Sequence, residues 1–306
     1  MPARLIHTGQ IVVDLVMALD SLPRVGGDVL AHSALFEAGG GFNVMAAASR
    51  HGMPVVYLGR HGDGRFGDVA RQAMAKEGIQ AALPATPGQD TGLCVALIEP
   101  SAERTFISYV GAEGGLSASD LSSVQVSDED YVYVSGYSLM HPGKVQILLD
   151  WLSALPAGVS VTFDPGPLVD TPGGEVMATL LPLVKLWSSN REEALRFTQC
   201  DDIAEALDRL AQLLPENALI VVRDGPKGCW IRDGQQISHV HGFPVTAVDT
   251  NGAGDAHAGV LLANLAAGRS VEQAALRANA AAAIAVTRRG PATSPTAAEV
   301  DVLVNG

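Results

Sequence analysis

Short apolar, β-branched runs recur along the chain, separated by stretches whose apolar positions return at helical spacing. Residues 5–8, 55–58, 131–135, 159–164, 186–189 and 219–223 read as strands. Residues 43–50, 66–76, 144–154, 192–197, 203–213, 255–267 and 272–288 read as helices. Strand–helix alternation of this kind predicts an α/β fold: a doubly wound, mostly parallel sheet covered on both faces. Ligands on such sheets sit beyond the C-terminal strand ends, so chemistry is expected there.

Two regions break the rhythm. Residues about 11–36 and 90–110 carry strand patterns with no helix between them: IVVDLVMAL, then TGLCVALIEP and RTFISYV. They are expected to pair as a small β-sheet lid, inserted in two pieces into one domain spanning residues 1–306. Both pieces lack polar alternation, so one face is expected to cover the active site or a second subunit, which suggests a homodimer through the lid.

Composition narrows the possibilities. Hydrophobic residues at 47% with 33 glycines suit a folded chain rich in tight turns and argue against disorder. The net charge of −13 argues against nucleic acid and anionic membrane as partners, because both bind clustered Lys and Arg. No apolar run approaches the roughly 20 residues needed to cross a bilayer. The N-terminus enters a strand-like run directly, so a soluble, cytoplasmic protein is expected. Cys94, Cys200 and Cys229 form no CxxC pair and read as reduced thiols, mostly buried, rather than a zinc site.

The densest chemistry lies in residues 247–260, AVDTNGAGDAHAGV. A turn at Gly252-Ala253-Gly254 leads into Asp255 and a helix of small residues. Backbone amides at such a turn coincide with the positive end of the helix dipole, a site for phosphate or for charge that builds up on a transferring phosphoryl group. A carboxylate beside it can take the proton of an attacking hydroxyl. Asp255 could also merely cap the helix, with the glycines forming only a turn.

The string DTNGAGD resembles the C-terminal signature of the ribokinase-like (PfkB) carbohydrate kinases, and the resemblance runs through almost the whole chain. It implies an ATP-dependent kinase, with Asp255 as catalytic base and the amides of Gly252, Ala253 and Gly254 as anion hole. His257 stands where the family usually has an aromatic and is expected to pack or face solvent. Ala38-Gly39-Gly40-Gly41-Phe42-Asn43 resembles the family's first signature, which implies sugar contacts from Gly39, Gly40 and Asn43. Asn43 reads equally well as a plain helix cap. Asp14 follows Gly9 at the family's spacing for a sugar-binding Asp, and an acid inside IVVDLV needs a polar partner unless it is simply an exposed lid residue.

On the nucleotide side, Asn190 and Glu193 match the family's NxxE element, implied to hold Mg²⁺ and phosphates, often through water; the pair also reads as a helix cap. Arg223, Gly225 and Gly228 lie in RDGPKG, which resembles the nucleotide loop, and Asn279 stands where relatives often approach adenine, although an Asn in an Ala-rich helix can equally find a backbone partner. Residues 288–295, RRGPATSP, resemble the stretch that binds a monovalent cation with the backbone around Asp249, so K⁺ joins ATP and Mg²⁺ as an implied ligand. Gly62 and Asp63, in a glycine-punctuated turn, read as mainly structural.

Residues 135–137 (SGY) and 163–167 (FDPGP) fall where relatives line the sugar pocket. Pro167 and Leu168 stand where kinases of sugar acids carry an Arg, although Arg104 could serve from the lid. Gly40 replaces a lysine frequent in the family. A neutral sugar is favoured, with a nucleoside or a phosphosugar as alternatives in the same family. Glu113, in GAE where sugar kinases often have GAN, reads either as a polyol ligand or as a solvent-facing acid. A dinucleotide oxidoreductase would need GxGxxG after the first strand, which GQIVVD lacks. A sensor that kept the fold without catalysis is the remaining rival class.

Overall fold

The computed structural model describes residues 2–100, 104–140, 142–170 and 172–306. The strands are β1 (Leu5–His7), β2 (Ile11–Ala18), β3 (Ser33–Gly40), β4 (Val55–Tyr57), β5 (Gln80–Ala81), β6 (Leu93–Ile98), β7 (Arg104–Tyr109), β8 (Tyr131–Ser135), β9 (Ser160–Asp164), β10 (Leu186–Asn190), β11 (Leu219–Arg223), β12 (Gly228–Asp233) and β13 (Gln236–His241). The helices are α1 (Phe42–Arg50), α2 (Arg65–Lys76), α3 (Ala118–Leu121), α4 (Pro142–Ser153), α5 (Gly174–Leu180), α6 (Arg191–Thr198), α7 (Ile203–Leu213), α8 (Ala253–Ala266), α9 (Val271–Ala285) and α10 (Ala297–Asn305).

Nine strands form one sheet in the order β13-β12-β11-β10-β9-β8-β1-β4-β5, parallel except at its β12–β13 edge. Chain order turns back beside β1, which pairs in parallel with both β4 and β8. That reversal makes the crevice above β1 and β8 the natural ligand position. Alternate residues of each strand feed two separate cores. Leu5, Val55 and Val221 pack with the small residues of α1, α8 and α9, whereas Ile6, Val56, Ile220 and Val222 join Trp187, Phe163 and residues of α4 and α7. Side chains of successive strand residues point to opposite faces, so these runs must be apolar throughout rather than alternating.

The lid is a second sheet in the order β3-β2-β6-β7. Its two pieces meet where β2 pairs in parallel with β6, Asp14 opposite Cys94. Its first piece continues four residues beyond the expected end, to Gly40, and delivers the chain straight into α1. The lid leaves Leu35, Phe36, Phe106, Ile107 and Tyr109 exposed, and because neighbours such as Leu35 and Phe36 point to opposite faces, both of its faces carry apolar side chains. Residues 101–103, inside the second expected lid piece, and the Arg104 side chain lie outside the described residues.

One helix ends earlier than its sequence pattern. The run through 288 stops as α9 at Ala285, because the amides of Val248 and Asp249 donate to the Val286 carbonyl at 2.7 and 3.0 Å. Among the cysteines only Cys229 is buried; Cys94 and Cys200 are half-buried, and all three are free thiols. No helix among the described residues is long and apolar enough to cross a membrane.

Candidate active site

The crevice between the main sheet and the lid is assembled by two helices that cross closely. Gly259 of α8 lies against α1: a Cβ there would come within 2.4 Å of the Val44 carbonyl oxygen and 2.6 Å of the Ala47 side chain. The contact brings Asn43, in the first turn of α1, to Asp255, in the first turn of α8, and the Asn43 Nδ2 donates to Asp255 Oδ2 at 3.0 Å. Asn43 is therefore no helix cap; Gly41 occupies that position without a side-chain bond. The Asn43 Oδ1 is buried and has no protein partner.

Asp255 follows a turn whose geometry only glycine supplies. Gly252 has φ 71°, and a Cβ on it would lie 1.9 Å from the Pro291 carbonyl oxygen. The helical ladder of α8 begins with Ala256 donating to the Gly252 carbonyl at 2.8 Å, which leaves the amides of Gly254 and Asp255 ahead of it. Burial pushes the Asp255 carboxyl up to about 6; the Asn43 hydrogen bond opposes this, the negative charge of Asp164 adds to it, and Arg223 opposes it.

Arg223, at the end of β11, lies under this turn, its guanidinium Nη2 about 3.4 Å from where a Gly254 side chain would begin. Its Nη1 donates to Asp164 Oδ2 at 3.0 Å and to Ser188 Oγ at 2.5 Å, and its Nη2 stands 3.7 Å from Glu193 Oε2. Asn190 and Glu193 form a reciprocal capping box at the start of α6, each amide donating to the other's side chain at 2.8 Å. The NxxE pair is thus a cap whose glutamate also faces the site. Burial, followed by the Asp164 charge, raises the Glu193 carboxyl despite Arg223. Among the described residues no cluster of three metal-ligating side chains occurs. Glu193 and Asp164 instead offer hard oxygen donors beside the phosphate-ready turn, which suits an Mg²⁺ that arrives with phosphates and keeps its waters.

On the lid side, the Asp14 carboxylate faces Gly39, where a side chain would begin 2.1 Å from Oδ2. Burial, the neighbouring Glu37 and Asp255 push Asp14 up to about 7. Glu37 sits opposite Asp14 in the β2–β3 pair and reaches Gly290, and its buried Oε2 has no hydrogen-bond partner. Asp249 accepts from the amides of Asn251 at 2.8 Å and Gly290 at 3.2 Å, tying the DTN turn to residues 288–293. Gly40, at φ 63°, turns the chain from β3 toward α1. Tyr137, half-exposed in the SGY turn, is raised by burial and by the charges of Cys94, Asp255, Glu193 and Asp14.

Several candidates occupy places that the sequence did not foretell. Asn279 is buried: its Nδ2 donates to the carbonyls of Val240 and His241 at 2.9 and 3.2 Å, and its Oδ1 meets His257 Nε2 at 3.2 Å. His257 is buried with it and pushed down to about 3, chiefly by burial, which excludes the solvent-facing reading. Gly225 and Gly228 shape the tight connection between β11 and β12, with φ 55° and 101°. Glu113 is buried and binds two backbone amides, so neither the polyol nor the solvent-facing reading describes it. Asp164 was marked in the sequence only within the FDPGP segment, and Glu37 not at all. Asp164 gains its role from Arg223, 59 residues away, and Glu37 from its place opposite Asp14 and beside Gly290.

The model of the pfkB family carbohydrate kinases matches residues 3–298. An uncharacterized sugar kinase of Escherichia coli (strain K12), YegV, is 32% identical over 295 residues, covering 95% of this chain and 91% of the relative. A fructokinase structure from Vibrio cholerae O395, holding fructose, ADP and a calcium ion, superposes with a TM-score of 0.83 at 24% identity over 99% of both chains. A ribokinase of Arabidopsis thaliana complexed with ribose and ATP superposes with a TM-score of 0.81 at 21% identity over all of both chains. The chain belongs to the pfkB family of carbohydrate kinases, with the ribokinase-like fold.

Proposed function

We propose that this sugar kinase transfers the γ-phosphoryl group of ATP to a hydroxyl of a small neutral sugar, with Asp255 as general base. The observation that carries the reading is the Asp255 carboxylate itself. One oxygen is held by Asn43 at 3.0 Å, the group stands at the mouth of the α8 amide turn, and its proton affinity lies near 6. A base of that strength is ionised at neutral pH yet accepts a proton readily.

In the proposed reaction the sugar hydroxyl gives its proton to Asp255 as its oxygen bonds to the γ-phosphorus. The bond from that phosphorus to the β–γ bridging oxygen breaks, and ADP leaves. The Gly252, Ala253 and Gly254 segment receives the developing charge, with the Arg223 guanidinium beneath it. Mg²⁺, when bound with the nucleotide, supplies further neutralisation, and Asn190 and Glu193 are the residues that would hold it through water. Gly225, Gly228 and Arg223 are assigned to the nucleotide side, Asp14, Gly39, Gly40 and Asn43 to the sugar side. Asn279 supports the nucleotide side only indirectly, by fixing β13.

Electrostatics support a neutral acceptor. Asp14, Glu37 and Asp255 surround the sugar side, while Arg223 is already matched by Asp164 and Glu193. A phosphorylated or acidic sugar would meet these carboxylates, and the Arg223 charge beside them is already matched. The buried Glu37 oxygen beside Gly290 and Asp249 fits a monovalent cation, and the exposed apolar lid residues suit a second copy of the chain. Coupled ADP release over a panel of sugars, sugar phosphates and nucleosides, with Mg²⁺ and with or without K⁺, tests the reading. Turnover of D-fructose, D-ribose or another neutral sugar is expected. Turnover of phosphosugars or nucleosides alone overturns the acceptor class, and turnover of nothing on the panel while ATP still binds favours the sensor.

A further inference from the structure

The second lid piece leaves the main body at Asp90–Gly92 and returns at Tyr109–Glu113, and these two feet lie against each other. A Cβ on Gly111 would come within 2.3 Å of the Asp90 carbonyl oxygen and 2.6 Å of the Gly92 nitrogen, and the Ala112 amide donates to the Asp90 carbonyl at 3.0 Å. Across them stands Glu113, almost wholly buried. Its Oε2 accepts the Gly92 amide at 2.8 Å and its Oε1 accepts the Gly111 amide at 2.8 Å. One carboxylate thus fastens the outgoing strand and the returning strand together.

The fastening leads directly to the sugar side. The carbonyl of Gly92 accepts the amide of Val13 at 3.0 Å, and Val13 precedes Asp14 in β2. Glu113 therefore acts on Asp14 through two consecutive hydrogen bonds and one peptide unit. We infer that Glu113 is a positioning residue: it clamps both feet of the lid and thereby sets the height of Asp14 over Asp255.

Both partners of Glu113 are N–H donors, so the clamp requires a group that accepts on both oxygens. An ionised carboxylate does this, whereas an amide would turn one N–H toward another. Burying that charge needs a counter-charge, and Lys144 of α4 supplies one. Its side chain is buried, its ammonium has no hydrogen-bond partner, and it feels the attraction of Glu113 while burial lowers its proton affinity. His7, which also feels the Lys144 charge, stays neutral: burial first, and then that charge, push it down to about 3. The charge on Lys144 is therefore left for Glu113.

Hydrogen–deuterium exchange of the ligand-free chain reads the clamp without reference to activity. Glu113→Gln should speed exchange by about tenfold in β2 and β6 while α7, on the far core, keeps its wild-type rate. Unchanged exchange in β2 and β6, or an equal rise in α7, overturns the inference. If Glu113→Gln does not fold, Glu113→Asp decides: it keeps the charge but reaches one foot only, so faster exchange at a single foot is expected and wild-type exchange at both refutes the clamp. A second arm rests on the kinase reading and uses D-fructose and D-ribose as acceptors. The acceptor KM should rise about tenfold with the ATP KM within about twofold, since the clamp touches the lid and not the nucleotide floor. Parallel loss of both KM values contradicts the inference. Absence of turnover in the unaltered protein speaks against the acceptor class alone, and the exchange arm then still decides.

Discussion

The two halves of the site are finished to different degrees before any ligand binds. On the half proposed to take the nucleotide, Arg223 is matched by Asp164, Ser188 and Glu193, and Asn190 and Glu193 cap each other. On the half proposed to take the sugar, Asn43 Oδ1 and Glu37 Oε2 are buried without partners, and Asp14 is pushed up to about 7 by burial and by neighbouring acids. Buried polar groups left unsatisfied are costly, so one half is complete by itself and the other calls for ligands, on the proposed reading a polyol at Asn43 and a cation at Glu37. On the proposed assignment, the charges that would handle phosphate are internally balanced, and those that would handle the sugar are not.

The contrast can be broken most severely from the balanced half. Arg223→Met should leave Asp164 and Glu193 buried without their counter-charge and cost about 3 kcal/mol or more, read as a lowered midpoint in urea with unchanged slope. A loss near zero would mean that this half is not held by this network.

Asn43→Ala acts on the open half. It removes a hydrogen bond that holds the Asp255 carboxylate in its ionised form, so the acid limb of the rate profile should move to higher pH, and the acceptor KM should rise roughly tenfold. An acid limb that stays at its wild-type position would detach Asn43 from Asp255.

Asp14→Asn is the subtlest. Its carboxyl binds protons more tightly folded than unfolded, so the stability linked to it is full below about pH 4 and lost as pH rises through about 7. The amide variant should therefore be more stable than the parent at pH 8, by about 1 kcal/mol or roughly 2 °C in Tm, with the gain absent at pH 4. The same variant should bind the acceptor more weakly, which is how stability and function trade at such a site.

This contrast also separates what could be read in the sequence from what could not. The doubly wound sheet was legible because runs such as Tyr131–Ser135 and Leu219–Arg223 are apolar on both faces, and the lid because its strands lack intervening helices. Asp255 was legible because its neighbours Gly252 and Gly254 are adjacent in the chain. The balancing partners were not. Asp164 meets Arg223 across 59 residues, and Asn43 meets Asp255 across 212. Local pattern suggested that Asn43 was a cap, when the close crossing at Gly259 had already assigned it elsewhere. Asn279, in an alanine-rich helix, called for a partner of either kind, nucleotide or backbone, and the β13 carbonyls, which no motif marks, take up its amide. The end of α9 was missed for the same reason, since the amides of Val248 and Asp249, in a loop remote in the chain, cap the Val286 carbonyl.

The central claim is that Asp255, tuned by burial and held by Asn43, removes the proton from the acceptor hydroxyl. Single-turnover phosphoryl transfer by Asp255→Asn between pH 5 and 8, beside ATP binding by the same variant, tests it most directly. Unaltered protein is expected to lose activity as pH falls through about 6, where the carboxylate takes up its proton. The variant should be slower by about 10²–10⁴-fold, lack that acid limb, and bind ATP within about twofold of the parent. Phosphoryl transfer by Asp255→Asn at the parent rate, with the acid limb intact, would contradict it.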